Sequence, residues 1–310
     1  MISKQDLRIV FFGTPDFAVA SLQALHEAGY NIVAVITAPD KPAGRGRKLR
    51  ASAVKEYALA HDLPVLQPEK LKNPEFLAQL RALNAQLQVV VAFRMLPEQV
   101  WNMPEMGTIN VHGSLLPNYR GAAPINWAII NGAKETGVTT FRLQHEIDTG
   151  DILLAHTEPI LPEDDFGSMY HKLMEAGAAL LLRTVEGLCN GSLEPKPQQE
   201  VGPATHAPKI FKDTCLIDWT KPAEAVHNLI RGLSPVPAAF TSLNNKQLKI
   251  FKSGFEQADT NVAPGTVDTD NKTFLRFACA DGWLYALDVQ FEGKKRMPVA
   301  DFLRGYRIHD

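Results

Sequence analysis

A chain of 310 residues, 45% hydrophobic and 21% charged, with no apolar run near the length that crosses a bilayer, predicts a soluble globular protein of two domains. Its net charge of −2 excludes a polycation, so any nucleic-acid contact must be local. Three cysteines, Cys189, Cys215 and Cys279, lie far apart without a CxxC; this argues against a zinc knuckle or a disulfide framework and, with no secretory pattern in "MISKQDLRIVFFGTPDF", predicts a reducing cytoplasm.

From Arg8 to about Leu193, short β-branched or aromatic runs alternate with amphipathic stretches, the pattern of parallel strands joined by crossover helices. "RIVFFG" reads as the first strand and "DFAVASLQALHEAG" as the first helix, stopped at Gly29. The turn between them holds one glycine where a dinucleotide fingerprint needs three. Gly13 is therefore read as structural, with Thr14 capping the helix and Pro15 at its first position. No P-loop pattern occurs, which argues against ATP-driven chemistry. The second strand, "NIVAVITA", runs into "DKPAGRGRKLR". There Lys41, Arg45, Arg47, Lys48 and Arg50 crowd into a Gly/Pro-rich loop with Asp40 as the only acid. "LPVLQ", the helix "PEFLAQLRALN", and the strands "LQVVVA" and "GTINVH" follow.

Asn110 and His112 close the last of these strands on one side of it, because side-chain direction repeats every two residues. They lie at the carboxyl end of a parallel strand, where open α/β sheets bind ligands. "HGSLLPNYRGAAP" then breaks regular structure, as a loop that wraps a flat ligand would. Two further strands, "VTTFRLQ" and "GDILLAHTEPI", are expected to pair at one edge. Between them "HEIDTGD" carries Asp148, flanked by Glu146 and Asp151. Aspartate is a common turn residue, which accounts for Asp151. Asp148 has a second reading: an amide donor, an imidazole and a carboxylate together can bind a developing oxyanion and move a proton without metal or nucleophilic side chain. Spacing alone leaves both readings of Asp148 open.

"GSMYHKLMEAGAALLLRTVEGLCNG" is a long helix that completes an α/β domain of Rossmann-like parallel-sheet type over residues 1–191. Residues 192–208 contain four prolines and no periodicity, as a linker does. Residues 209–310 open with the short helix "KPAEAVHNLIRGLSP" and continue in short strands, a small β-barrel with an OB-like barrel as one candidate. Up to residue 208 there are 18 Lys and Arg against 22 Asp and Glu; beyond it there are 14 against 12, so the C-terminal part is slightly basic.

"FFGTPDFAVASL", "PDKPAGRGRKL", "GTINVHGSLLPNYRGAAPINWAI", "TGVTTFRLQHEIDTGDIL", "GTV" and "GKKRM" together resemble the folate-dependent formyltransferases over nearly the whole chain. The match is nearest to the branch acting on methionyl-initiator tRNA. The resemblance implies formyl transfer from 10-formyltetrahydrofolate, a consumed co-substrate, to the α-amino group of methionine esterified to that tRNA, with no metal and as a monomer. It implies that Asn110, His112 and Asp148 are the catalytic trio and that Ser114, Leu115, Leu116 and Pro117 form the folate-contacting turn. It also implies that the loop with Lys41, Arg45, Arg47 and Lys48 approaches the tRNA acceptor end, where arginine can hold phosphate or stack on a base. One segment departs from the family pattern: "FRMLP" puts Arg94 and Met95 where an aromatic followed by glycine is usual. Two alternatives stay open. One is formyl transfer to a sugar-nucleotide amine or glycinamide ribonucleotide, which needs no basic loop joined to a barrel. The other is a nucleic-acid-binding module in which the barrel binds RNA and the α/β part is a folate-binding or inactive remnant; the intact trio argues against inactivity.

Overall fold

The computed structural model describes residues 2–43, 48–199 and 205–308. The chain divides into two compact units: Met1–Gly121 with Gly137–Glu158 and Tyr170–His206, and Ala122–Thr136 with Pro159–Met169 and Ala207–Asp310.

In the first unit, β1 (Arg8–Gly13) is buried from its second residue onward. Its unbroken apolar run is what a strand covered on both faces requires. α1 (Asp16–Glu27) lays Phe17, Ala18, Leu22 and Leu25 into the core at helical spacing. A Cβ on Gly13 would sit 2.6 Å from that of Ala18, so this glycine is needed for the close approach of strand and helix. Thr14 does not cap the helix. The N-cap is Pro15, without a side-chain hydrogen bond, and the Phe17 amide is satisfied by Asp16 Oδ1 at 3.1 Å and Tyr170 Oη at 3.0 Å. With two oxygens already on that donor, the threonine hydroxyl is not needed there. Burial first, and the bond to Asp16 second, push the Tyr170 phenol well up, so it remains a donor to that carboxylate.

The unit continues through β2 (Asn31–Ile36), the antiparallel hairpin β3 (Lys41–Ala43) and β4 (Lys48–Arg50), α2 (Ala53–Ala60), β5 (Val65–Leu66), α3 (Pro74–Ala82), β6 (Leu87–Val91), α4 (Glu98–Trp101) and β7 (Thr108–His112). After β8 (Arg120–Gly121) and α5 (Pro124–Ile130) come β9 (Glu135–Arg142), β10 (Ile152–Pro159), α6 (Phe166–Asn190) and β11 (His206–Ala207). The seven-stranded sheet runs β10-β9-β7-β6-β1-β2-β5. Its β1–β2, β1–β6, β2–β5 and β6–β7 pairs are parallel, and β9 joins β7 antiparallel. The chain reverses direction across the sheet between β1 and β6, which leaves a crevice at the carboxyl ends of the central strands.

In the second unit, α7 (Ala223–Leu233) packs with β12 (Ala239–Leu243), β13 (Lys246–Gln257), β14 (Val267–Thr269), β15 (Leu275–Cys279), β16 (Gly282–Phe291), β17 (Met297–Pro298) and α8 (Val299–Gly305). The strands form an antiparallel half-barrel in the order β12-β13-β16-β15-β14, with β17 on β16. Val226, Ile230 and Leu233 of α7 meet Leu248, Ile250, Leu284 and Val289 in its core. α5 belongs to this unit too: Asn126 Nδ2 donates to Gly232 O at 2.7 Å, and a Cβ on Gly232 would lie 2.5 Å from Ile130 Cγ1. The glycine lets the two helices cross closely.

Residues 192–199 and 205–208, read as linker, are tied down. Lys196 and Ile152 exchange backbone hydrogen bonds at 2.8 Å, and Thr205 O accepts from Tyr119 N at 2.6 Å. Proline-rich composition removes helix and periodicity but leaves carbonyls and non-proline amides free to pair. Among the described residues no helix is long and apolar enough to cross a membrane.

Candidate active site

β7 pairs with β6 and β9 in a register that sets Val111 beside Val91, Asn110 beside Phe141 and His112 beside Thr139. Asn110 and His112 therefore end a strand held on both sides, a rigid mount for reacting groups. His112 is 7% exposed, with its ring edge-on to Phe141 at 6.4 Å. Asn110 is half-buried, and its amide makes no hydrogen bond to another described side chain or carbonyl. An unengaged amide at a strand end is available to a ligand.

The structure brings Asp148 to this pair. Its Oδ2 lies 3.8 Å from His112 Nδ1 and accepts from Gly121 N at 3.0 Å. His112 Nε2 lies 2.9 Å from the carbonyl oxygen of Tyr119. A carbonyl can only accept, so Nε2 carries the hydrogen there. Asp148 and Tyr119 both have positive φ, 55° and 58°. That region is sparsely used by residues with a Cβ, and such strain gathers at functional sites. The Asp148 backbone is secured by Gln198, whose Nε2 donates to Asp148 O at 2.9 Å and Gly150 O at 2.8 Å.

The turn after β7 has a cis Leu116–Pro117 bond. Ser114 and Leu116 are buried, while Leu115 and Pro117 are half-buried. The Ser114 hydroxyl donates to Asn118 O at 2.6 Å, and Thr139 Oγ1 joins Ser114 O at 2.7 Å to Leu116 N at 3.2 Å. Ser114 thus shapes the turn, and Leu115 and Pro117 are its partly open members.

Arg94 reaches across to donate to Pro68 O at 2.5 Å and Glu69 O at 2.8 Å, fastening the loop after β6 to the loop after β5. Met95 beside it is 70% exposed. These residues help line an open cavity of about 1040 Å³ with Lys70, Lys72 and Arg81. The trio does not line it.

Lys41 is exposed on β3, and Lys48 begins β4. Arg45 and Arg47 lie outside the described residues. In the half-barrel, Lys246, Lys252, Lys294 and Lys295 are exposed, whereas Arg296 is engaged by Asp288 at 2.7 Å and lies over Phe251. Sequence reasoning missed Tyr119 and Gly121, which serve through backbone atoms that no side-chain pattern announces. It also missed Gln198, hidden in a segment whose prolines signal a linker.

A formyl transferase family model matches residues 7–185, and a formyl transferase C-terminal domain model matches residues 209–307. The chain is 53% identical over 315 residues to the methionyl-tRNA formyltransferase of Bacteroides fragilis, covering 99% of this chain and 97% of that protein. It is 54% identical over 316 residues to that of Parabacteroides distasonis, covering 99% and 98%. Among solved structures, the N-formyltransferase of Helicobacter canadensis, in complex with folinic acid and dTDP-3-aminofucose, matches with a TM-score of 0.67 at 21% identity, covering 92% of this chain and 99% of that one. HypX from Aquifex aeolicus in complex with tetrahydrofolic acid matches with a TM-score of 0.64 at 19% identity, covering 97% and 47%. At these identities the structural likeness speaks for the fold alone.

Proposed function

The chain belongs to the formyl transferase family, and from that premise we propose that it formylates the α-amino group of methionine esterified to initiator tRNA, drawing the formyl group from 10-formyltetrahydrofolate. The observation that carries this reading is similarity above 50% identity along the full length of methionyl-tRNA formyltransferases, C-terminal domain included. The likeness to the N-formyltransferase in complex with dTDP-3-aminofucose is at 21% identity.

The chemistry asks for a neutral amine to attack the formyl carbon, a C–N bond to form, an oxyanion to develop, and the bond from that carbon to N10 of the folate to break. Asn110 supplies an unengaged amide donor for the oxyanion. His112 supplies the second donor by exchanging the Tyr119 carbonyl for the substrate oxygen at the same N–H, an adjustment expected between free and loaded enzyme. Asp148 orients the imidazole and takes up the amine proton through water, and a proton is returned to N10 as the folate leaves. Leu115 and Pro117 offer apolar surface to the folate, in a turn held by Ser114 and Leu116. Residues 1–191 carry the chemistry, residues 192–208 lead out of that domain, and residues 209–310 hold the tRNA with help from the basic segment of the sequence that carries Lys41, Arg45, Arg47 and Lys48. The enzyme works as a cytoplasmic monomer.

The test is tetrahydrofolate release from 10-formyltetrahydrofolate by the purified protein. Release that needs methionyl-initiator tRNA is expected; release with an amino-sugar nucleotide in place of the tRNA would overturn the reading.

A further inference from the structure

The loop from Leu143 to Gly150 turns through Asp148 at a φ of 55°, in the left-handed region that a residue with a Cβ adopts at a cost, so contacts outside it must hold it. Within the loop, Gln144 Nε2 donates to Thr149 Oγ1 at 2.8 Å and Thr149 Oγ1 to Glu146 O at 3.1 Å, while Asp148 Oδ2 reaches out to accept from Gly121 N at 3.0 Å. The outside hold on the carbonyls of the turn comes from one side chain. Gln198 gives both hydrogens of its amide, one to Asp148 O and one to Gly150 O, while its Oε1 accepts from Arg120 Nε at 3.2 Å and Nη2 at 2.7 Å. The orientation of the amide is fixed by chemistry. Flipped, it would set oxygen against two carbonyls and NH₂ against a guanidinium. Gln198 is itself located by the backbone pair between Lys196 and Ile152.

Arg120 stands between Tyr119, whose carbonyl meets His112, and Gly121, whose amide meets Asp148. Gln198 therefore sets the 119–121 turn and the 148–150 turn at one spacing, and that spacing fixes the distance from the carboxylate to the imidazole. We propose that Gln198 is a positioning residue for Asp148. Resting on the reading of Asp148 given above, it acts by amide donors that hold two backbone carbonyls rather than by touching substrate.

Gln198→Leu removes the donors and the acceptor; Gln198→Glu keeps the size and a partner for Arg120 but loses the donors. Both, together with Asp148→Asn and the Gln198→Leu/Asp148→Asn double variant, are to be measured in single-turnover formylation of charged tRNA across pH, with circular dichroism verifying the fold. A misplacement of about 1 Å in a reacting group can cost on the order of a hundredfold in rate. The expected result is a fall in kcat of about tenfold or more in both Gln198 variants, KM for either substrate within about threefold, and a displaced pH–rate profile. In the Asp148→Asn background the Gln198→Leu change should cost less than about twofold, because the group it positions is gone. Wild-type kcat and pH profile in folded Gln198→Glu would overturn the proposal, as would an equal loss with and without the Asp148 carboxylate. Full activity in Asp148→Asn would instead remove the reading of Asp148, a distinct failure recognised before any Gln198 variant is considered.

Discussion

Asn110 and His112 differ in what already holds them: the amide is unengaged, whereas both imidazole nitrogens face oxygens at 2.9 and 3.8 Å. Removing an oxyanion donor typically costs about 3 kcal/mol of transition-state stabilisation. Asn110→Ala and His112→Ala should each slow single-turnover formylation by roughly a hundredfold with tRNA affinity unchanged; a near-wild-type rate in either would remove that residue from the chemistry. Asp148→Asn should retain the Gly121 hydrogen bond, since an amide oxygen can still accept, yet lose the charge facing His112. A large fall in rate with little change in folate affinity is the expected outcome, and full activity across neutral pH would return Asp148 to the role of a turn residue. The period of two on β7 made the first two residues legible. Asp148 was ambiguous because aspartate serves turns and catalysis alike; its place 3.8 Å from His112 Nδ1 depends on a fold that no local pattern announces.

At the scale of elements, the basic hairpin is fixed at its root. The Asp40 carboxylate receives Lys55 Nζ at 2.7 Å and Gln67 Nε2 at 2.8 Å, and these bonds, Lys55 first, hold its carboxyl below the usual range. Thr37 and Ser52 hydroxyls, 2.7 Å apart, tie the two legs together, and Ser52 caps α2. Asp40→Asn should therefore loosen the hairpin and lower the rate at saturating tRNA by about threefold to tenfold, with KM for folate unchanged; single-turnover rates and folate titration measure both. In the half-barrel, burial, with Arg231 contributing less, pushes His227 of α7 down to about 4 from 6.5. Between those values the unfolded chain binds a proton that the folded one refuses, so this group's stabilisation is complete above pH 6.5 and declines as pH falls towards 4. Melting temperature against pH should show that decline, and His227→Gln should flatten it. The alternation of apolar runs located the strands of the parallel sheet, and the lone glycine marked Gly13 as structural, but its close approach to Ala18 is visible only in the fold. The cap at Thr14 was misread because its rival, the Tyr170 hydroxyl, comes from α6, 153 residues away from the amide it satisfies.

For the whole molecule, the two units are not consecutive stretches of chain. The second takes Ala122–Thr136 and Pro159–Met169 from the middle of the sequence. Nothing local announces this, since α5 is short and its apolar face would suit any partner; only the fit of Asn126 and Ile130 to Gly232 selects α7. Cutting the chain after residue 208 would uncover α5, so the truncated protein should aggregate on expression. Neutralising Lys246, Lys252, Lys294 and Lys295 is the cleaner test of the half-barrel. For every phosphate that a neutralised lysine no longer pairs, the slope of log affinity against log salt should fall by about 0.9. An unchanged slope in binding titrations would take tRNA binding away from these lysines. The shared unit also has a timetable. A ribosome adding about 5–20 residues per second completes α5 roughly 5–20 s before it reaches Gly232, because the two ends of that hydrogen bond are 106 residues apart. During that wait Ile125, Ala128 and Ile129, buried in the finished protein, have no cover. Nascent chains stalled short of α7 should accordingly be held by chaperones that grasp apolar segments, and chains stalled beyond it should be released.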